Sequence, residues 1–93
     1  MVKAIWKDKI IAESDDYEMI EGNVYFPPQS VKKEFLKNSD YHTTCPFKGL
    51  ASYYDVVVDR EVNKDAAWYY PEPKKGYEQI KDYIAFWHGV EVK

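Results

Sequence analysis

A single cysteine, Cys45, among 93 residues rules out an internal disulfide, so this fold has to be held by its core alone. At this length one core is possible with a thin margin and a second does not fit, which makes residues 1–93 one expected domain. The material for that core is aromatic: nine tyrosines, four phenylalanines and three tryptophans, each able to bury a large area. With 45% hydrophobic residues the composition is that of a folded chain. The unpaired thiol fits a reducing compartment. The stretch "MVKAIWKDKIIAESDDYE" carries charges every few residues and has neither the apolar core of a signal peptide nor a membrane span. A soluble, cytoplasmic protein is expected. Net charge is -3, and Lys and Glu alternate without forming a run, so neither nucleic acid nor a membrane is an expected partner.

The first half of the chain reads as short strands. "KAIWKD" and "KIIAESD" flank a hairpin turn at Asp8-Lys9, and Glu21-Gly22-Asn23 supplies residues that tolerate positive φ between "YEMI" and "VYFP". Pro27-Pro28 cannot lie inside a central strand. Ser30 is a good N-cap for a helix of about two turns, Ser30 to Lys37, with Val31 and Phe35 on one face and Asn38-Ser39-Asp40 ending it. "YHTT" then enters a turn at Cys45. "LASYYDVVVD" and "DAAWYYPEP" read as strands joined through Asp59 to Lys64, the second stopped by Pro71 and Pro73. The segment "KKGYEQIKDYIAFWHGVEV" mixes helical and strand spacing; a turn of helix at Lys75 to Gln79 followed by a strand reconciles them. The fold class from the residues is mainly β with one short α-helix.

The segments "IEGNVYFPPQSV", "TTCPFKGLASYYDV", "AAWYYPEP" and "IKDYIAFWHGVEV" stand in the order and spacing of a small bacterial family, domain of unknown function 427, which the chain resembles over nearly its whole length. The resemblance implies a compact antiparallel two-sheet fold, similar to the β-tent of the Mss4 and methionine sulfoxide reductase B type. Such relatives often hold zinc between two cysteine pairs. One cysteine cannot supply that site. The family also carries a nucleotidyltransferase-like label.

That label finds no support in the carboxylates. Two-metal phosphoryl chemistry needs carboxylates converging on ions about 4 Å apart, whereas Asp55 and Asp59, four apart on one strand, would be separated by about 13 Å. Asp15 and Asp16 are adjacent and diverge. "CPFKGLAS" lacks the glycine spacing and the Lys-Ser/Thr pair of a phosphate loop. His42, His88 and Cys45 show no metal-ligand spacing, so no metal and no cofactor are expected. His42, three before Cys45, would point to the opposite face of a shared strand and cannot be its base.

Cys45 itself reads in two ways. A thiolate needs a cation or a base, which Lys48 across the Pro46 turn would provide; alternatively Cys45 is a small hydrophobe closing the turn. Most of the aromatic set must build the core, but in Tyr53-Tyr54 and Tyr69-Tyr70 only one member of each pair can face a given side. The expected function is therefore a small-molecule-binding domain, monomeric or weakly dimeric, with Tyr54 and Trp68 as pocket walls, Glu21 and Lys48 as polar anchors and Cys45 beside them. Two alternatives are an enzyme using Cys45 as nucleophile or Glu21 as base in the same cavity, and an interaction module presenting exposed tyrosines.

Overall fold

The computed structural model describes residues Met1–Lys93 and is built almost wholly of antiparallel strands. β1 (Val2–Trp6), β2 (Lys9–Ser14) and β9 (Glu91–Val92) form a sheet in the order β2-β1-β9. β3 (Glu18–Ile20) and β4 (Asn23–Tyr25) make a two-stranded hairpin. β5 (Leu36–Cys45), β6 (Gly49–Val58), β7 (Glu61–Tyr69) and β8 (Ile84–Phe86) form the largest sheet in sequence order. The expected two sheets are thus three. The hairpin nevertheless continues the large sheet, because Phe26 and Ile84 exchange both backbone hydrogen bonds at 2.8 and 2.9 Å, so β4 runs on along the free edge of β8.

The expected α-helix at Ser30 to Lys37 is absent. Two single 3₁₀ turns, Pro28–Ser30 and Lys33–Phe35, occupy its first part, and Leu36 and Lys37 already belong to β5. Ser30 hydroxyl bonds back to the Pro27 carbonyl at 2.7 Å instead of capping a helix. Val31 pairs with Ala12 and Lys32 donates its N–H to Ile11, so the segment is used to cover the β2 edge. Tertiary pairing has overridden a local helix signal of only two turns, which is too short to hold itself. Asn38-Ser39-Asp40, expected to end that helix, instead lies in β5 at a register shift.

Three tight hairpins use pairs of left-handed residues: Lys7 and Asp8 (φ 51° and 63°), Glu21 and Gly22 (53° and 80°), Asp59 and Arg60 (49° and 70°). This is the twist that suits two-residue hairpin loops. The first turn falls one residue before the expected Asp8-Lys9. The third closes at once, so β7 starts at Glu61 and the expected loop to Lys64 is strand. Near the C-terminus a 3₁₀ turn at Glu78–Ile80 precedes β8, close to the expected order of elements.

The large sheet is covered on both faces. On one side Ala4, Ile11, Phe26, Val56, Val58, Ile84 and Phe86 form the main core, packed between it and the β1-β2-β9 sheet. On the other side Tyr25, Ala51, Tyr53, Trp68, Tyr70, Ile80 and Ala85 form a second, smaller cluster. Register explains the division. Tyr53, Trp68 and Ala85 lie in one cross-strand row and Tyr54, Ala67 and Phe86 in the next, and successive residues of a strand point to opposite faces. No helix is long and apolar enough to cross a membrane.

Candidate functional site

The second cluster is open to solvent where the β3–β4 turn meets the turn between β5 and β6. The opening is a cleft of about 340 Å³, of the size of small-ligand sites. Five rings line it, those of Tyr25, Tyr53, Trp68, Tyr70 and Trp87, together with the polar side chains of Glu21, Asn23 and Lys48.

Lys48 comes from the Cys45 turn, whose shape is fixed from both ends. Gly49 sits at φ 109°, and a Cβ there would lie 3.2 Å from the Glu72 carbonyl oxygen, so the close approach of the Glu72–Lys74 segment depends on glycine. That segment ties the turn: Lys74 N–H donates to the Lys48 carbonyl at 2.9 Å, and Lys74 Nζ donates to the Pro46 carbonyl at 3.0 Å. The Lys48 side chain is thereby directed inward and is only 5% exposed. Its ammonium forms an ion pair with Glu21, whose own side chain is 64% exposed at the tip of the β3–β4 hairpin. The Nζ also lies 3.8 Å from Cys45 Sγ and 5.5 Å from the centre of the Tyr77 ring.

Trp68 meets Tyr25 and Trp87 edge to face, while Tyr25–Tyr70 and Tyr53–Trp87 are tilted. Tyr25 and Trp68 stand at 89° with centroids 6.2 Å apart, and Trp68 Nε1 donates to Tyr25 Oη at 3.3 Å. Tyr53 Oη is 3.0 Å from Thr43 Oγ1. Trp87 closes the outer end, 5.4 Å from Trp68 and 6.2 Å from Tyr53, with its indole N–H bonded to the Asp65 carbonyl and 42% of its surface in water.

Burial pushes the Tyr25 and Tyr70 phenols above their ordinary values, so both remain neutral hydrogen-bonding groups at physiological pH. Burial pushes the Lys48 ammonium down, but its hydrogen bond to Glu21 and the neighbouring negative groups outweigh that and hold it charged. For Cys45 burial pushes the thiol up, yet the N–H groups of Lys48 and Phe47 together with the Lys48 charge bring it below its ordinary value. Cys45 is a partly buried thiol that accepts the Lys48 N–H at 3.4 Å and packs against the second cluster without being fully enclosed.

The structure brings Glu21, Lys48 and Trp68 together at the cleft, with Cys45 touching Lys48. Tyr54 is elsewhere: it lies on the opposite face of β6, stacked on Tyr69 at 4.8 Å and 20°. Its neighbour Tyr53 holds the wall position. Alternation told that only one of the two faces the cleft, but the row shared with Trp68 depends on strand register, which the local sequence does not encode. Tyr25, Tyr70 and Trp87 belong to the same aromatic set and were not separable from core residues for the same reason. Asn23 reads from the sequence only as a turn former; it is the first residue of β4 and carries no chemical signature of a site.

Elsewhere, Asp55 is buried where β6 shifts register against β7, accepting the Asp65 N–H at 2.9 Å with Lys64 Nζ 3.3 Å away. Asp59 stands in the β6–β7 turn. No three His, Cys, Asp or Glu side chains are grouped as a metal ion would need. His42 pairs across to Ser52 at 3.1 Å, on the face away from Cys45 as its position in β5 requires.

The chain belongs to a family described as a domain of unknown function, DUF427, and labelled NTP_transf_9, whose model matches residues 1–93. A comparison with curated proteins finds no match.

Proposed function

We propose that this domain binds a small organic molecule in the cleft, with Trp68 and Tyr53 as walls, Trp87 at the rim and the Glu21–Lys48 pair as the polar end, Lys48 being the anchor. The observation that carries the reading is the convergence of a buried ammonium with five aromatic rings on one opening to solvent. A buried charge is costly to hold, and nothing in the sheet pairing requires one at this position. Rings packed only for stability would also be expected to close over one another, whereas Trp87 keeps two-fifths of its surface in water. The test is a thermal-shift screen of a metabolite library. A compound present at a hundredfold its dissociation constant adds about 2.7 kcal/mol, and the shift should disappear in Trp87→Ala.

A second reading, thiol chemistry in the same cleft, is favoured by one observation: Cys45 Sγ accepts the Lys48 N–H and has the Lys48 ammonium 3.8 Å away, the surroundings that make a thiolate. An electrophilic ligand that labels Cys45 stoichiometrically, and is excluded by a compound from the screen, would favour this reading over simple binding.

A further inference from the structure

Within the small-molecule reading above, on which this inference rests, we propose that Glu21 is a built-in stand-in for the carboxylate of the ligand. The cleft takes an aryl carboxylate, whose carboxylate replaces that of Glu21 on Lys48 while its ring lies against Tyr53 and Trp87.

The two halves of the ion pair are held very differently. Lys48 is fixed by its position between β5 and β6, by its N–H on Cys45 Sγ and by its carbonyl under Lys74, and its side chain is 5% exposed. Glu21 stands at the tip of a two-residue turn with its side chain 64% exposed, and its carboxylate has one hydrogen bond, to Lys48. One partner is packed into the cleft and the other can leave it by a rotation of its side chain into water.

The buried ammonium favours keeping an anion, because leaving its charge unpaired in the cleft is unfavourable. A neutral molecule therefore does not displace Glu21. An incoming carboxylate does, since it exchanges one ion pair for another and releases Glu21 to full hydration. A cation drawn to Glu21 would leave Lys48 unpaired beside a second positive charge, so the aromatic walls are not serving as a cation cage. The rings set the other end of the ligand: Tyr53 and Trp87 lie 6.2 Å apart at 35°, with 42% of Trp87 in water, and a planar ring laid beside them gains aromatic contact with both.

Chemical rescue tests this directly. Glu21→Ala leaves Lys48 without its partner, and added acetate should raise the melting temperature of Glu21→Ala well beyond any effect on the wild type. Benzoate should do the same at a concentration at least tenfold lower than acetate, and should bind Glu21→Ala at least tenfold more tightly than wild type because its internal competitor is gone. The double variant Glu21→Ala/Lys48→Met, which no longer holds an ammonium, should respond to neither. Equal responses of wild type and Glu21→Ala, or an undiminished response of the double variant, would overturn the exchange. Benzoate no better than acetate would overturn the aryl assignment and count against the aromatic cleft as well. Benzamide or benzyltrimethylammonium binding wild type and Glu21→Ala alike, with benzoate showing no preference for the variant, would overturn the exchange while leaving the small-molecule reading standing.

Discussion

Removing the exposed partner of the Glu21–Lys48 pair should harm the fold more than removing the buried one. Glu21→Ala leaves an ammonium that is 5% exposed without an anion. Breaking a fully buried pair in this way costs about 3–5 kcal/mol; here Glu21 itself sits mostly in water and the cleft admits solvent, which reduces the loss to about 1–2 kcal/mol. For a domain of this size that is a fall in melting temperature of roughly 4–15 °C. Lys48→Met keeps an apolar stem of similar length in place and returns Glu21 to water, so its cost should stay within about 1 kcal/mol. The double variant should recover most of what Glu21→Ala loses. Urea denaturation of the four proteins, with common slopes, gives the differences and their coupling. A Glu21→Ala protein as stable as wild type, or a Lys48→Met protein less stable than Glu21→Ala, would refute the reasoning from unequal burial.

Three further outcomes follow from the same geometry. Alkylation of Cys45 by iodoacetamide should titrate below the range of an ordinary thiol and move upward in Lys48→Met, since backbone N–H groups and the Lys48 charge lower it; a midpoint above that of an unfolded peptide thiol would contradict this. Burial pushes the Tyr54 phenol up to about 12, with Tyr69 adding to the rise. The unfolded phenol titrates near 10, so its contribution to stability is complete below about pH 10 and is lost as pH rises toward 12; urea midpoints with absorbance of the tyrosinate band would show it. Gly49→Ala should cost about 1–3 kcal/mol, because φ of 109° is strained for any side chain and the new Cβ meets the Glu72 oxygen at 3.2 Å; a neutral effect would mean that the turn rearranges freely.

The strands were legible wherever alternation and turn formers agreed, as in the hairpin around Glu21-Gly22 and in the run from Leu50 to Val58. The helix reading failed at Ser30 because capping and the Val31–Phe35 spacing are local signals, while the β2 edge that takes up Val31 and Lys32 comes from residues about twenty positions earlier. The Lys7-Asp8 turn falls one residue before its expected place and the connection expected from Asp59 to Lys64 shortens to Asp59-Arg60, because left-handed pairs without glycine leave little mark in a sequence. In the site, Glu21, Lys48 and Trp68 stood out by residue type at turns and in the tryptophan segment, and they do meet at the cleft. Tyr53 stands at the cleft where Tyr54 is expected, because the two differ only in which face of β6 they take, and that is fixed by pairing with β7.

The ligand-site claim is tested most directly by nitrogen-15 chemical-shift mapping with the compound that gives the largest thermal shift. The three tryptophan indoles provide an internal comparison, since Trp68 and Trp87 line the cleft and Trp6 lies in β1, packed against the main core. The account predicts that the Trp68 and Trp87 indole signals and the Lys48 amide move together with one dissociation constant while the Trp6 indole stays in place. Movement centred on Trp6, or scattered over all three indoles without saturation, would contradict it.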